Sequence, residues 1–291
     1  MSCAMPPAGL ARRVWRQLHD RRSARAEAVA TAWTVAGQRL ARAQAIGEAY
    51  ALARAWQARL ALRQAAPAML RDNAEIARFR RDAGLVPGLD ADMADLMLGL
   101  NGAGIDQAQG AFDSAVAALA GLTGADPAAL RKALAGQSTA ALPPEAPDAL
   151  DRRPDLRALA ARLMVSAPPR GLSPAALQAA IGAGRQPWAI QWAAAEAHAR
   201  DDLASAHRAI VVARDAAAAR AQLAVKAQRL LADARLGYRN GATGFATLFA
   251  AEAAGLATQE AEVEAARAVT VAELRLLSAQ GRGETPTGAC D

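Results

Sequence analysis

Four glycines frame this sequence. Gly84 and Gly124 stand 40 residues apart, Gly241 and Gly281 stand 40 apart, and one shift of 157 residues carries the first pair onto the second without a gap. The same shift pairs Ala94 with Ala251, Asp95 with Glu252 and Leu119 with Leu276. A long period of this kind marks two copies of one supersecondary unit. Between the glycines the chain is nearly all helix former. More than a quarter of it is alanine, and aromatics make up only 4%. Alanine costs least in a helix but buries little apolar area, so extended helix-to-helix contact must replace a thick core. The reading is all-α: two repeated, long antiparallel helical hairpins with little or no β-structure.

Leu52, Trp56, Leu60 and Leu62 recur at helical spacing in a first run from about residue 10 to 83, which Pro67 should kink or split. The first hairpin repeat is assigned to residues 1–135, with its tip turn at 84–88 (AGLVPG spans 83–88). Asp90, Asp92 and Asp95 then suit the start of a helix ending near Thr123, since carboxylates favour the N-terminal dipole. Asp126-Pro127 reads as a cap followed by the first helical position. Residues 136–152 form a Pro/Ala linker, and the second repeat spans 153–283. That repeat opens at Arg153-Pro154-Asp155, with a short helix expected near 174–181. A long helix follows from Trp188 to Leu236, roughly 70 Å at about 1.5 Å per residue. The second tip, GYRNGATG, lies near 238–244; a last helix runs to about Gln280, and residues 284–291 read as a disordered tail.

The net charge of +6 comes largely from Arg12, Arg13, Arg16, Arg21, Arg22 and Arg25. No stacking aromatics or recognisable module follow them, so a solvated or subunit-facing surface outweighs nucleic-acid binding, with acidic lipid headgroups as a second partner class. Cys3 and Cys290 have neither metal nor redox spacing. No apolar run is long enough for a transmembrane helix, and no signal peptide is visible. Of the histidines, His198 and His207 are nine apart, half a turn round a helix from each other, so they cannot share a metal. His198, Asp201 and Asp202 make a local polar cluster. No nucleophile elbow, phosphate loop or redox motif occurs, and the five tryptophans suit helix seams. The chain reads as no enzyme, with no cofactor and no metal.

Several motifs then carry a resemblance. Arg152-Arg153-Pro154-Asp155-Leu156-Arg157-Ala158 resembles the RRPD-I-R-A signature of TolC-like outer-membrane efflux proteins, where it opens the second repeat. Tyr50-Ala51-Leu52 with Gln57 resembles the family's Y-x-L-x(4)-Q run. Tyr238-Arg239-Asn240-Gly241, followed by Phe245, Leu248 and Glu252, is similar to its second-repeat turn. Arg81-Asp82-Ala83-Gly84-Leu85 with Leu89-Asp90 is similar to the first-repeat turn, and residues 118–124 to the N-A-L-A-V-L-L-G ending. The order is right over nearly the whole chain.

The resemblance implies a homotrimer whose helices form a hollow periplasmic α-barrel, with a membrane-fusion adaptor, an inner-membrane pump and the outer membrane as partners. It implies localisation to the outer membrane and periplasm, and a passive role in small-molecule export. It places adaptor contacts at Gly84, Leu85, Val86, Gly241, Ala242 and Thr243. For each glycine, a plain helix terminator remains the competing reading. The family's barrel strands are not evident: Ile210-Val211-Val212 is too short and lies inside a helix, and residues 164–187 hold the place of a strand hairpin with Pro/Gly/Ala character. The chain therefore reads as a truncated member, and the alternative is a barrel-less, non-conducting helical interaction protein.

Overall fold

The computed structural model describes residues 8–86, 88–136, 150–163 and 187–282, and every regular element among them is helical. In order these are α1 (Ala8–Ala65), α2 (Pro67–Asp82), α3 (Gly88–Thr123), α4 (Pro127–Gly136), a 3-10 turn (Leu150–Arg152), α5 (Pro154–Leu163), α6 (Pro187–Arg239) and α7 (Phe245–Ala279). The all-α expectation holds for these residues. The expected helix at 174–181, most of the 136–152 linker, nearly all of the 164–187 segment, the tail and both cysteines lie outside them.

Local signals explain the boundaries. Pro67 splits the first run: α1 stops at Ala65, and Pro67 opens α2, where a missing N–H is no loss. Asp126 caps α4, its Oδ2 accepting from the Ala129 amide at 2.9 Å. Helix α6, and most of α3, bury a seven-residue frame. In α6 the buried residues Ala189, Ala199, Leu203, Ala206, Ile210, Ala224, Ala227, Ala234 and Tyr238 all fall on its two inward positions. In α3, Ala91, Ala94, Asn101, Ala108, Phe112, Ala115 and Leu119 do the same, while the buried Gly104 and Val116 fall off that frame. This is a coiled-coil seam, and alanine on it lets the backbones approach closely.

Two compact units divide the residues. The first comprises 1–44, 143–207 and 275–291. There α5 lies along α1: Trp33 and Ala36 pack on Ala158, the Arg157 guanidinium sits 5.6 Å from the Trp33 ring centre, and Arg162 pairs with Glu27 at 3.4 Å. The second comprises 45–142 and 208–274. One of its clusters joins Ala53, Phe112, Ala115, Val116 and Leu134, with Tyr50 against them. Another joins two hairpins, with Ala74, Ala77, Ala91 and Ala94 facing Ala234, Tyr238, Phe245 and Leu248. Small side chains on one hairpin receive the rings of the other. The ion pairs Arg59–Glu264 (3.2 Å) and Arg63–Glu260 (2.6 Å) tie α1 to α7 within this unit.

Candidate functional site

Gly84, Gly124, Gly241 and Gly281 are the glycines with positive φ among the described residues, at 71°, 74°, 71° and 67°. These are the four that frame the sequence repeat. Each ends a helix in a left-handed cap, a conformation that only glycine adopts without strain. At the first tip the Gly84 amide donates to the Arg81 carbonyl and the Leu85 amide to that of Arg80, at 2.9 and 2.8 Å. At the second tip Gly241 donates to Tyr238 and Ala242 to Gly237, at 3.1 and 2.8 Å. The chain then reverses into α3 or α7.

One turn below each tip the repeat reproduces an ion pair. Arg78 on α2 bonds Asp95 on α3, and Arg235 on α6 bonds Glu252 on α7 through two bonds at 2.8 and 2.9 Å. The shift of 157 carries one pair onto the other. They differ in burial: Arg78 and Asp95 are half exposed, whereas the Glu252 side chain is 7% exposed.

The tips themselves differ. Leu85 is 70% exposed, and Phe79 and Leu89 beside it are also open to solvent. At the second tip Gly241 and Ala242 are exposed, while Thr243 folds its side chain back over Gly237. Val86 is half-buried. Tyr238 is buried in an edge-to-face contact with Phe245, ring centres 5.5 Å apart. Arg80 from the first hairpin lies over the Tyr238 ring at 4.6 Å and donates to the carbonyls of Tyr238 and Arg239 at 2.8 and 3.2 Å. A cation thus caps the C-terminal carbonyls of α6, where the helix dipole favours positive charge. Burial pushes the Tyr238 phenol above its usual range, against the pull of Arg80.

The Arg-Arg-Pro-Asp stretch is in the first unit and is built as a clamp. Arg153 is buried, and its guanidinium reaches Asp155 (2.8 Å), Asp202 (3.0 Å) and the carbonyls of Ala199 (3.3 Å) and Ala279 (3.4 Å). One side chain therefore joins α5, α6 and the end of α7. Gly281 completes the joint, because a Cβ there would stand 2.7 Å from the Arg153 Cα. Pro154 packs on Gly37 of α1, and Arg152 is exposed. Desolvation pushes the Asp155 carboxyl up, but the bonds and charge of Arg153 outweigh it and hold it below the ordinary range. Asp202 serves Arg153, with the exposed His198 3.7 Å away.

The structure thus brings Tyr238 to the tips, seats Tyr50 in a separate core cluster, and collects Arg153, Pro154 and Asp155 in the other unit. Sequence reading missed Arg80 and the second role of Gly281, and it grouped Asp202 with His198 and Asp201 without its pairing to Arg153. Arg80 sits in a run with Arg78 and Arg81 that gives no hint of which arginine reaches across. Among the described residues no group of three or more His, Cys, Asp or Glu side chains is placed to hold a metal ion, and no helix is long and apolar enough to cross a membrane.

No family model and no curated protein matches the sequence. Solved structures do match. The outer-membrane channel OprN aligns over 89% of this chain and 70% of its own, with a TM-score of 0.74 and 20% identity. The fold is that of outer-membrane channels. Outer membrane protein VceC from Vibrio cholerae shares this channel fold over 89% of this chain and 74% of its own, with a TM-score of 0.72 and 17% identity. The Campylobacter jejuni CmeC outer membrane channel does so over 94% and 69%, with a TM-score of 0.71 and 13% identity. The shared fold is the one that the resemblance of the sequence motifs implies.

Proposed function

We propose that this chain is a wall component of a TolC-like efflux duct, a passive periplasmic conduit that assembles as a homotrimer and docks a membrane-fusion adaptor at its hairpin tips. The observation that carries the reading is the channel fold extending over nearly nine-tenths of the chain at a TM-score of 0.74. The exposed side chains of Phe79, Leu85 and Leu89 add support for docking. Exposed apolar groups held on a rigid turn suit burial against a partner. Gly84, Val86, Gly241, Ala242 and Thr243 complete that surface. In this reading the protein belongs to the outer membrane and periplasm, and a partner pump supplies the energy.

Native mass spectrometry of the purified full chain, alone and with a membrane-fusion adaptor, tests this. A trimer that binds the adaptor is the expected result. A monomer, or a chain that takes up no adaptor, would replace it with a barrel-less, non-conducting interaction protein. For the tip, Leu85→Ser should leave the melting temperature within a degree or two while weakening adaptor association at least tenfold. Unchanged association would remove the docking claim.

A further inference from the structure

The second unit contains a cavity of about 450 Å³, walled by the α1–α2 junction and α3 on one side and by α6 and α7 on the other. Its volume falls within the range of small-molecule pockets, about 300–1,000 Å³. The helix break at Ala66 opens it, and Ala65, Ala66 and Ala253 leave its walls thin. Met69, Leu70, Met97, Leu231, Phe249 and Leu256 give it an apolar lining, and the two unbranched methionines adapt to different shapes.

The polar groups set its selectivity. Arg63 and Arg235 both line the cavity, and both are neutralised, by Glu260 at 2.6 Å and by Glu252 at 2.8 Å. With its charges paired, the cavity offers an ion no compensation for leaving water. Asn101 is buried at 6% exposure on the same wall; its Nδ2 donates to the Arg63 carbonyl, and its Oδ1 finds no donor among the described residues. Gln228 and Gln259 line the facing wall.

We propose that this cavity binds an uncharged amphiphile of drug size. Its aromatic or branched aliphatic body lies among the methionine, leucine and phenylalanine side chains, and a single N–H or O–H meets the wall amides. The site lies wholly within one unit of one chain, so it stands or falls independently of the duct reading.

The test is a fluorescence titration of the full chain with N-phenyl-1-naphthylamine, a neutral probe with an apolar body and one N–H. Its sulfonated analogue, 8-anilinonaphthalene-1-sulfonate, is the charged control. Saturable binding of the neutral probe, at least tenfold tighter than the sulfonate, is expected. Ala253→Trp enlarges an exposed residue at the opening and should weaken the neutral probe at least tenfold while helicity by circular dichroism stays constant. If Ala253→Trp lowers helicity, Gln228→Trp blocks from α6 with the same expectation. Equal affinity in a folded blocking variant, sulfonate bound as tightly as the neutral probe, or no saturation would each overturn the assignment.

Discussion

Pro67 removes a backbone donor, so the carbonyl four residues earlier, that of Arg63, loses its normal helical partner. Asn101 replaces it from α3, its Nδ2 lying 3.2 Å from that oxygen, while the Ala66 amide makes only a long contact of 3.4 Å. Asn101→Leu should therefore cost about 1–3 kcal/mol in urea unfolding, the penalty for an unsatisfied buried acceptor. A similar stability for the variant would mean that water serves the carbonyl equally well. Glycine offers a paired comparison. Gly124 has open space around it, whereas a Cβ at Gly281 would stand 2.7–2.9 Å from the backbone of Arg152 and Arg153. Gly124→Ala should cost about 1–2 kcal/mol for left-handed backbone strain alone. Gly281→Ala adds a steric clash of about 1–3 kcal/mol and should be clearly worse in the same assay.

At the scale of elements, the repeated hairpins use the same ion pair in different surroundings. Arg78→Ala removes an exposed pair and should cost less than about 1 kcal/mol. Arg235→Ala strands the buried Glu252 carboxylate and should cost roughly 2–4 kcal/mol, measurable by chemical denaturation. Equal costs would show that burial of Glu252 is immaterial. The repeat has also diverged in its core. Ala91 corresponds to Leu248 under the shift, and Ala94 to Ala251, so the first hairpin offers an alanine floor on which Tyr238, Phe245 and Leu248 rest. Phe245→Ala should cost about 3–5 kcal/mol, because little around it can collapse to fill the space.

For the molecule as a whole, acid is the general probe. Hydrogen bonds from Gln109 and then Arg131 hold the Asp113 carboxyl low. A bond from Arg267 does so for Glu264, and Arg153 does so for Asp155 against desolvation. Carboxyls depressed in the folded state stabilise it fully above their unfolded values, near pH 4, and lose that contribution as pH falls through the folded ones. Urea midpoints should therefore be flat from pH 7 to about 5 and fall below 4. Asp155→Asn should flatten part of the fall; an unchanged profile would exclude Asp155 as a contributor.

How much of this was legible follows from range. Helices, caps and turns depend on residues within four or five positions, so Pro67, Asp126-Pro127 and the tip glycines Gly84 and Gly241 could be read directly, while Gly124 and Gly281 were visible as markers of the repeat rather than as left-handed caps. The Arg-Arg-Pro-Asp motif was visible as a pattern, but nothing in it told that Arg153 would gather Ala199, Asp202 and Ala279. The pairing of Arg80 with the end of α6, the answer of Asn101 to Pro67, and the cavity beside it were decided by tertiary structure alone. Long arginine side chains on an alanine background have many equivalent partners in sequence, and only packed helices choose among them.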